Sequence, residues 1–234
     1  FRFATRFRFL EGGAQCLFMT RAGARLGDVL PGRERPVTLQ HGAFMVHAEF
    51  SPDGGTLVTA SFDGTARLWD PATGQPTSPP LVHDGQVRSA HFSPDSRRVV
   101  TVGLDRRFRM WTVPEGKPVS DWLPTPGITG WVEFSRDGQQ LLLAGSTGLV
   151  SWKVDVEPFV ARTLFTNHPV RMARFTPDGR AWAAIINPEI AVPRLEYVEA
   201  DHPGGARFSV PLSGSSECVD ISPDGRFLVS SIPG

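Results

Sequence analysis

The sequence predicts an all-β fold in which four-stranded antiparallel sheets recur along the chain and stack on one another, and three observations carry that reading. Turn-forming residues are dense, 24 Gly and 21 Pro in 234 residues, among plentiful Phe, Val, Leu and Trp, a composition that favours many short strands over long helices. A five-residue anchor recurs, as FSPDG at 50–54, FSPDS at 92–96, FSRDG at 134–138, FTPDG at 175–179 and ISPDG at 221–225. Its acidic residues, Asp53, Asp95, Asp137, Asp178 and Asp224, are spaced by 42, 42, 41 and 46 residues, and a period in that range marks a repeat architecture. A tryptophan moves with the anchor: Trp69, Trp111 and Trp152 follow their turn acids by 16, 16 and 15 residues.

The elements of one copy follow in order from residues 48 to 70, AEFSPDGGTLVTASFDGTARLWD. Ala48 and Phe50 belong to a first strand. Ser-Pro-Asp-Gly is a turn, with Pro fixing φ and Gly accepting a positive φ. LVTAS is the second strand, apolar on both parities like VVTVG in the next copy, so both its faces are covered. Phe62-Asp63-Gly64 is a hairpin signal, and TARLWD alternates through the third strand. A fourth strand falls in PTSPPLVH and, one copy on, in KPVSDWLP; its prolines place it at the sheet edge, because Pro removes a ladder donor. A sheet of about 42 residues cannot bury both faces alone, whereas radial stacking of successive sheets does so, the logic of a β-propeller.

Counting back 42 residues from Asp53 reaches Glu11-Gly12 and a degenerate first copy, with Gly27 at the Trp position; the fifth copy has Tyr197 there after a longer connection through NPEIAVP. The expected division of one domain, 1–234, is 1–40, 41–82, 83–124, 125–165, 166–212 and a partial 213–234. That is about five full blades plus part of another. The last copy stops in its second strand, so the expectation is a piece of a longer protein, with an incomplete ring or one closed to six blades by FRFATRFRFL.

Composition excludes more than it names. Basic and acidic residues balance at 24 each, so no net field draws the chain to nucleic acid or an anionic membrane. The first 35 residues lean basic, with Arg2, Arg6, Arg8, Arg21, Arg25, Arg33 and Arg35 against Glu11, Asp28 and Glu34. FRFATRFRFL nevertheless alternates Phe and Arg as a half-buried strand does. Cys16 and Cys218 are far apart and form no Cys-x-x-Cys, which gives neither a disulfide framework nor a zinc site. No apolar run approaches the roughly 18 residues a membrane helix needs, and no signal peptide is apparent; a cytoplasmic location is the expectation. No nucleophile elbow, His-Glu-x-x-His, phosphate-cradling Gly loop or paired-carboxylate motif occurs, so the reading is no enzyme, no cofactor and no metal. His47, His91, His168 and His202 hold unrelated positions within their copies and are read without a function. Arg106, Arg107 and Arg109 are read as solvated charges rather than a binding patch.

The FSPDG turn, the Asp-Gly hairpin and RLWD at 67–70 together resemble the WD-repeat β-propeller family over nearly the whole chain. The resemblance implies a hydrogen-bonded set of a His before the first strand, a hydroxyl on the second, the hairpin Asp and the Trp. His41, Thr59 or Ser61, Asp63 and Trp69 match it, as do His83, Thr101, Asp105 and Trp111, though the family's Gly-His is altered to Gln40-His41 and Val82-His83. The copy with Trp152 has Thr125 and Ser146 at the His and Asp positions. Joint loss is what packing predicts, because a buried Asp without its His leaves an unpaired polar group costing roughly 1 to 3 kcal/mol.

The resemblance implies a non-catalytic scaffold that binds a protein or peptide where the loops before each first strand meet the second hairpin. The residues mapping there are Phe44, Gln86 and Ile128, then Val46, Arg88 and Arg171 two residues further in, and Phe62 and Leu104 before the hairpin Asp. Phe44 and Phe62 are the expected anchors, against the alternative that each packs on its neighbouring blade. Long bacterial chains with similar ATGQP and PPLVHDG connections are often joined to a serine/threonine kinase domain, so a regulatory or targeting module of a larger enzyme is a second reading. A propeller hydrolase with converging Ser, His and Asp is a third.

Overall fold

The computed structural model describes residues 7–9, 15–20, 23–28, 37–156, 158–166, 168–186, 192–199, 208–212 and 219–230, with side chains only from residue 37 onward. The Glu11-Gly12 turn, Cys218 and His202 lie outside the described residues, as do the side chains of Cys16 and of FRFATRFRFL. Every regular element described is a strand.

Five four-stranded sheets and one two-stranded sheet follow one another along the described chain. The first holds β1 (Phe7–Phe9), β2 (Gln15–Thr20), β3 (Gly23–Asp28) and β4 (Val37–Leu39). The second holds β5 (Met45–Phe50), β6 (Leu57–Ser61), β7 (Thr65–Trp69) and β8 (Leu81–Val82). The third holds β9 (Val87–Phe92), β10 (Arg98–Gly103), β11 (Arg107–Thr112) and β12 (Leu123–Pro124). The fourth is β13 (Thr129–Phe134), β14 (Gln140–Gly145), β15 (Gly148–Lys153) and β16 (Val160–Thr166). The fifth is β17 (Val170–Phe175), β18 (Ala181–Ile186), β19 (Arg194–Glu199) and β20 (Phe208–Pro211), and the sixth pairs β21 (Val219–Ile221) with β22 (Leu228–Ser230). Each sheet is an antiparallel meander in chain order, as short hairpin connections require.

The chain divides into two units, Phe1–Leu123 and Pro124–Gly234. In the first, all five residues of β6 are buried. Leu57 joins Leu39, Met45 and Trp69 on one face, while Val58 and Ala60 on the other join Val87, Ala90, Phe92 and Val99 of the third sheet. The second unit repeats this in β18, buried throughout. Trp182, Ala184 and Ile186 pack with Leu142, Ala144 and Leu149, and Ala183 and Ile185 with Val219 of the sixth sheet. Neighbouring sheets thus cover both faces of the second strand, which is why its apolar residues ignore the usual alternation.

The anchor turn repeats atom for atom. Ser51 Oγ donates to Asp53 Oδ1 at 2.6 Å, the Gly55 amide donates to the same oxygen at 2.9 Å, and the Gly54 amide closes on Ser51 O at 2.8 Å. Ser93–Asp95, Ser135–Asp137, Thr176–Asp178 and Ser222–Asp224 make the same hydroxyl-to-carboxylate bond. The fourth position of the turn has positive φ in all five described anchors, and the third sheet uses Ser96 there, at 61°, where the other four have Gly.

The edge strand is shorter than PTSPPLVH and KPVSDWLP allow. In the second sheet it begins as a bridge between Trp69 and Pro76, breaks through Ser78-Pro79-Pro80 and resumes as β8, because consecutive prolines supply no ladder donors. The fifth copy corrects the expected position of its aromatic residue. In register, Leu57 faces Trp69, Val99 faces Trp111 and Leu141 faces Trp152, but Trp182 faces Val198. Val198, not Tyr197, therefore holds the Trp position, and the large ring has moved to the facing strand; Tyr197 turns to the other face, against Val219 and Met172.

Candidate functional site

The loops ahead of β5 and β9 are fixed by two copies of one hydrogen-bonded set. His41 Nδ1 lies 3.0 Å from Asp63 Oδ2, its Nε2 lies 2.7 Å from Thr59 Oγ1, and Trp69 Nε1 donates to that same hydroxyl at 2.8 Å. The third sheet repeats this with His83 Nδ1 to Asp105 at 3.1 Å, His83 Nε2 to Thr101 at 2.7 Å and Trp111 Nε1 to Thr101 at 2.8 Å. Thr59, of the two hydroxyls offered by the sequence, is the partner. Ser61 instead donates to Phe44 O at 3.0 Å and accepts from the Asp63 amide.

The protons of this set follow from its chemistry. Trp can only donate, so Thr59 Oγ1 accepts from it and turns its own hydrogen to His41 Nε2. Burial lowers the pKa of His41, outweighing the opposing pull of Asp63, and burial likewise lowers that of His83 against Asp105. Both imidazoles are neutral near pH 7, with the hydrogen on Nδ1 directed at the carboxylate. Burial alone would raise Asp63, but bonds from Thr65, the Gly42 amide and His41 prevail and bring it to about 2. The connectivity of hydroxyl, imidazole and carboxylate is that of a nucleophilic triad. Here the hydroxyl is fully buried under Trp69, so no substrate reaches it. Both imidazole nitrogens are engaged, which leaves His41 and His83 neither free bases nor metal ligands.

The fourth sheet keeps Trp152 but has lost the rest of the set together. Thr125 and Ser146 now serve their own loop, donating to Gly127 O at 2.8 Å and accepting from the Ile128 amide at 3.0 Å. Leu143, fully buried, stands at the hydroxyl position.

The residues assigned to the loop face are brought together in pairs. The Phe62 amide donates to Phe44 O at 2.9 Å and the Leu104 amide to Gln86 O at 2.8 Å. Phe44 and Leu104 are exposed, at 41% and 37%, and Gln86 and Arg88 are exposed beside them. Phe62 and Val46 are only half-buried, not open; the bond to Phe44 lays the Phe62 hairpin against the preceding loop. In the second unit Ile128 is exposed at 49%, its carbonyl bonded to the Ser146 amide at 3.0 Å, and Arg171 is exposed on β17.

Other charged residues depart from the sequence reading. Arg106 and Arg107 are exposed, the latter 3.4 Å from Asp84. Arg109 is not part of a solvated cluster, because its Nε donates to Ser120 O at 2.8 Å and its guanidinium lies 5.1 Å and 5.0 Å from the Trp111 and Trp122 ring centres. The residue just before each anchor is polar, Glu49, His91, Glu133, Arg174 and Asp220, and within each unit these residues meet across neighbouring sheets. In the first unit His91 Nδ1 lies 3.1 Å from Glu49 Oε2, with the His47 ring 4.6 Å from that of His91. In the second unit Arg174 lies 3.5 Å from Glu133 and 3.9 Å from Asp220. Burial pushes Glu133 up to about 7, an effect Arg174 only partly offsets. The signal was available in the sequence as an unbroken polar position one residue ahead of every anchor.

A family model described as WD domain, G-beta repeat matches residues 34–70 and 77–112. Those stretches contain the two copies with the complete His, Thr, Asp and Trp set. No curated protein matches the sequence. No helix is long and apolar enough to cross a membrane among the described residues.

Proposed function

This is a WD-repeat protein, carrying matched repeats at residues 34–70 and 77–112, and on that premise we propose that it is a non-catalytic scaffold that binds a protein or peptide through the loop ends of its sheets. WD repeats are generally protein-interaction scaffolds. The observation that carries the reading is the placing of Phe44 and Leu104, exposed apolar side chains in loops whose backbones are held by bonds to Phe62 and Gln86. An anchor on a braced loop loses little freedom on binding, which is how a small contact gains affinity. Gln86 and Arg88 flank the apolar pair, so the occupant is a segment offering apolar side chains to Phe44 and Leu104 and an acidic group to Arg88. His41, Asp63, His83 and Asp105 act beneath it as braces. Ile128 and Arg171 occupy the corresponding loop positions of the second unit.

The test is capture of a partner with a photo-crosslinking amino acid at Phe44 in the full chain, followed by measurement of its affinity for the Phe44→Ala and Leu104→Ala protein. A loss of affinity of about tenfold or more is expected for apolar anchors. Unchanged capture would place binding elsewhere.

A further inference from the structure

We propose that His47, Glu49 and His91 form a zinc site that staples the second sheet to the third. His47 and Glu49 are two apart on β5 and share a face. His91 lies on β9, one repeat length beyond Glu49. The donor atoms are His47 Nε2, Glu49 Oε2 and His91 Nδ1, with Glu49 Oε2 4.0 Å from the first and 3.1 Å from the last, and all three lie within 4.8 Å of one another. With the third side at that limit, a point equidistant from the three lies about 2.4 Å from each, a few tenths of an ångström beyond zinc–imidazole and zinc–carboxylate bond lengths. Small rotations of these side chains close the difference.

The donor chemistry selects the ion. Two imidazoles and one carboxylate suit zinc and its first-row neighbours and are poor ligands for calcium or magnesium, which take oxygen. Three protein ligands leave the fourth tetrahedral corner to water, and the three side chains retain 14%, 16% and 23% exposure, enough for entry of the ion. Glu49 is already oriented, because its other oxygen accepts the Phe92 amide at 3.2 Å, an outer contact of the kind that tunes metal ligands. His91 Nδ1 and Glu49 Oε2 lie 3.1 Å apart, and zinc bound between them takes the lone pair of Nδ1, with the imidazole carrying its hydrogen on Nε2. No other group of three His, Cys, Asp or Glu side chains converges this way among the described residues.

Calorimetric titration of the full chain with zinc chloride tests the site. One zinc per chain is expected, with a rise in Tm, and cobalt in its place gives the visible absorption of a four-coordinate ion. Glu49→Gln, close to isosteric, and His91→Ala each weaken zinc binding about tenfold or more and abolish the rise in Tm, with the circular dichroism spectrum retained. His168→Ala, an exposed residue on the second unit, leaves affinity unchanged. Absence of stoichiometric uptake, or uptake equal in wild type and Glu49→Gln, overturns the proposal.

Discussion

Replacing Glu133 by Gln converts a pH-dependent burden on the second unit into a constant one. Glu133 sits on β13, its side chain 22% exposed and 3.5 Å from Arg174, and burial raises its carboxyl to about 7 from the ordinary 4.5. Between those values the folded chain holds a proton that the unfolded chain has released. Stability from Glu133 is therefore complete below about pH 4.5 and is lost as pH rises through 7. A gap of that size at 1.36 kcal/mol per pKa unit amounts to about 3 kcal/mol. Urea unfolding of wild type and Glu133→Gln at pH 5 and pH 8, followed by Trp fluorescence, reads the effect. The stability of Gln relative to wild type should improve by about 2–3 kcal/mol at the higher pH, most of the full linkage. A difference independent of pH would show that Glu133 is ionised in the fold and that Arg174 balances it fully against burial and the neighbouring Asp220.

Thr59→Val, nearly isosteric, strands Trp69 Nε1 and His41 Nε2 in a buried site and should cost about 1–3 kcal/mol for each stranded group in chemical denaturation. His41 and His83 are both lowered by burial, so the stability they contribute is present above about 6.5 and lost as pH falls through their lowered values; imidazole nitrogen NMR should show the neutral Nδ1–H form persisting below pH 6.5. Arg106→Gly releases an exposed side chain from a φ of 62° and should stabilise by about 0.5–1 kcal/mol in the same denaturation assay. Phe44→Ala with Leu104→Ala should leave Tm nearly unchanged, since both side chains are exposed, while partner binding falls.

What was legible in the sequence was whatever is decided within one sheet. The anchor turn, the hairpin Asp and the 16-residue step to Trp69 or Trp111 are local geometry, so their spacing announces them. The His, Thr, Asp and Trp set spans 29 positions of one copy, from His41 to Trp69, and was legible only through the resemblance to the WD-repeat family. What depends on a neighbouring sheet was hidden. His91 meets Glu49 only because the third sheet lies on the second at the same height, and Arg109 leaves solvent only because Trp122 follows it at the edge. Trp182 was missed as the fifth copy's ring because motif spacing is blind to an exchange of bulk between facing strands. Register decides that exchange: the Trp182–Val198 pair fills the space that Leu141 and Trp152 fill one sheet earlier.

The Asp-Gly pairs at the anchor turns bear on how this protein ages. In a free peptide that dipeptide is the one most prone to rearrange, through attack of the glycine nitrogen on the side-chain carbonyl carbon to give a succinimide and then isoaspartate. At Asp53 the attacking nitrogen is already bonded to Ser51 O, and the carboxylate is gripped by Ser51 and Gly55, so the reaction waits for the turn to open. Isoaspartate accumulating at these sites in a stored sample would therefore record how often each turn lets go, a chemical clock of local opening written into every copy that keeps its glycine.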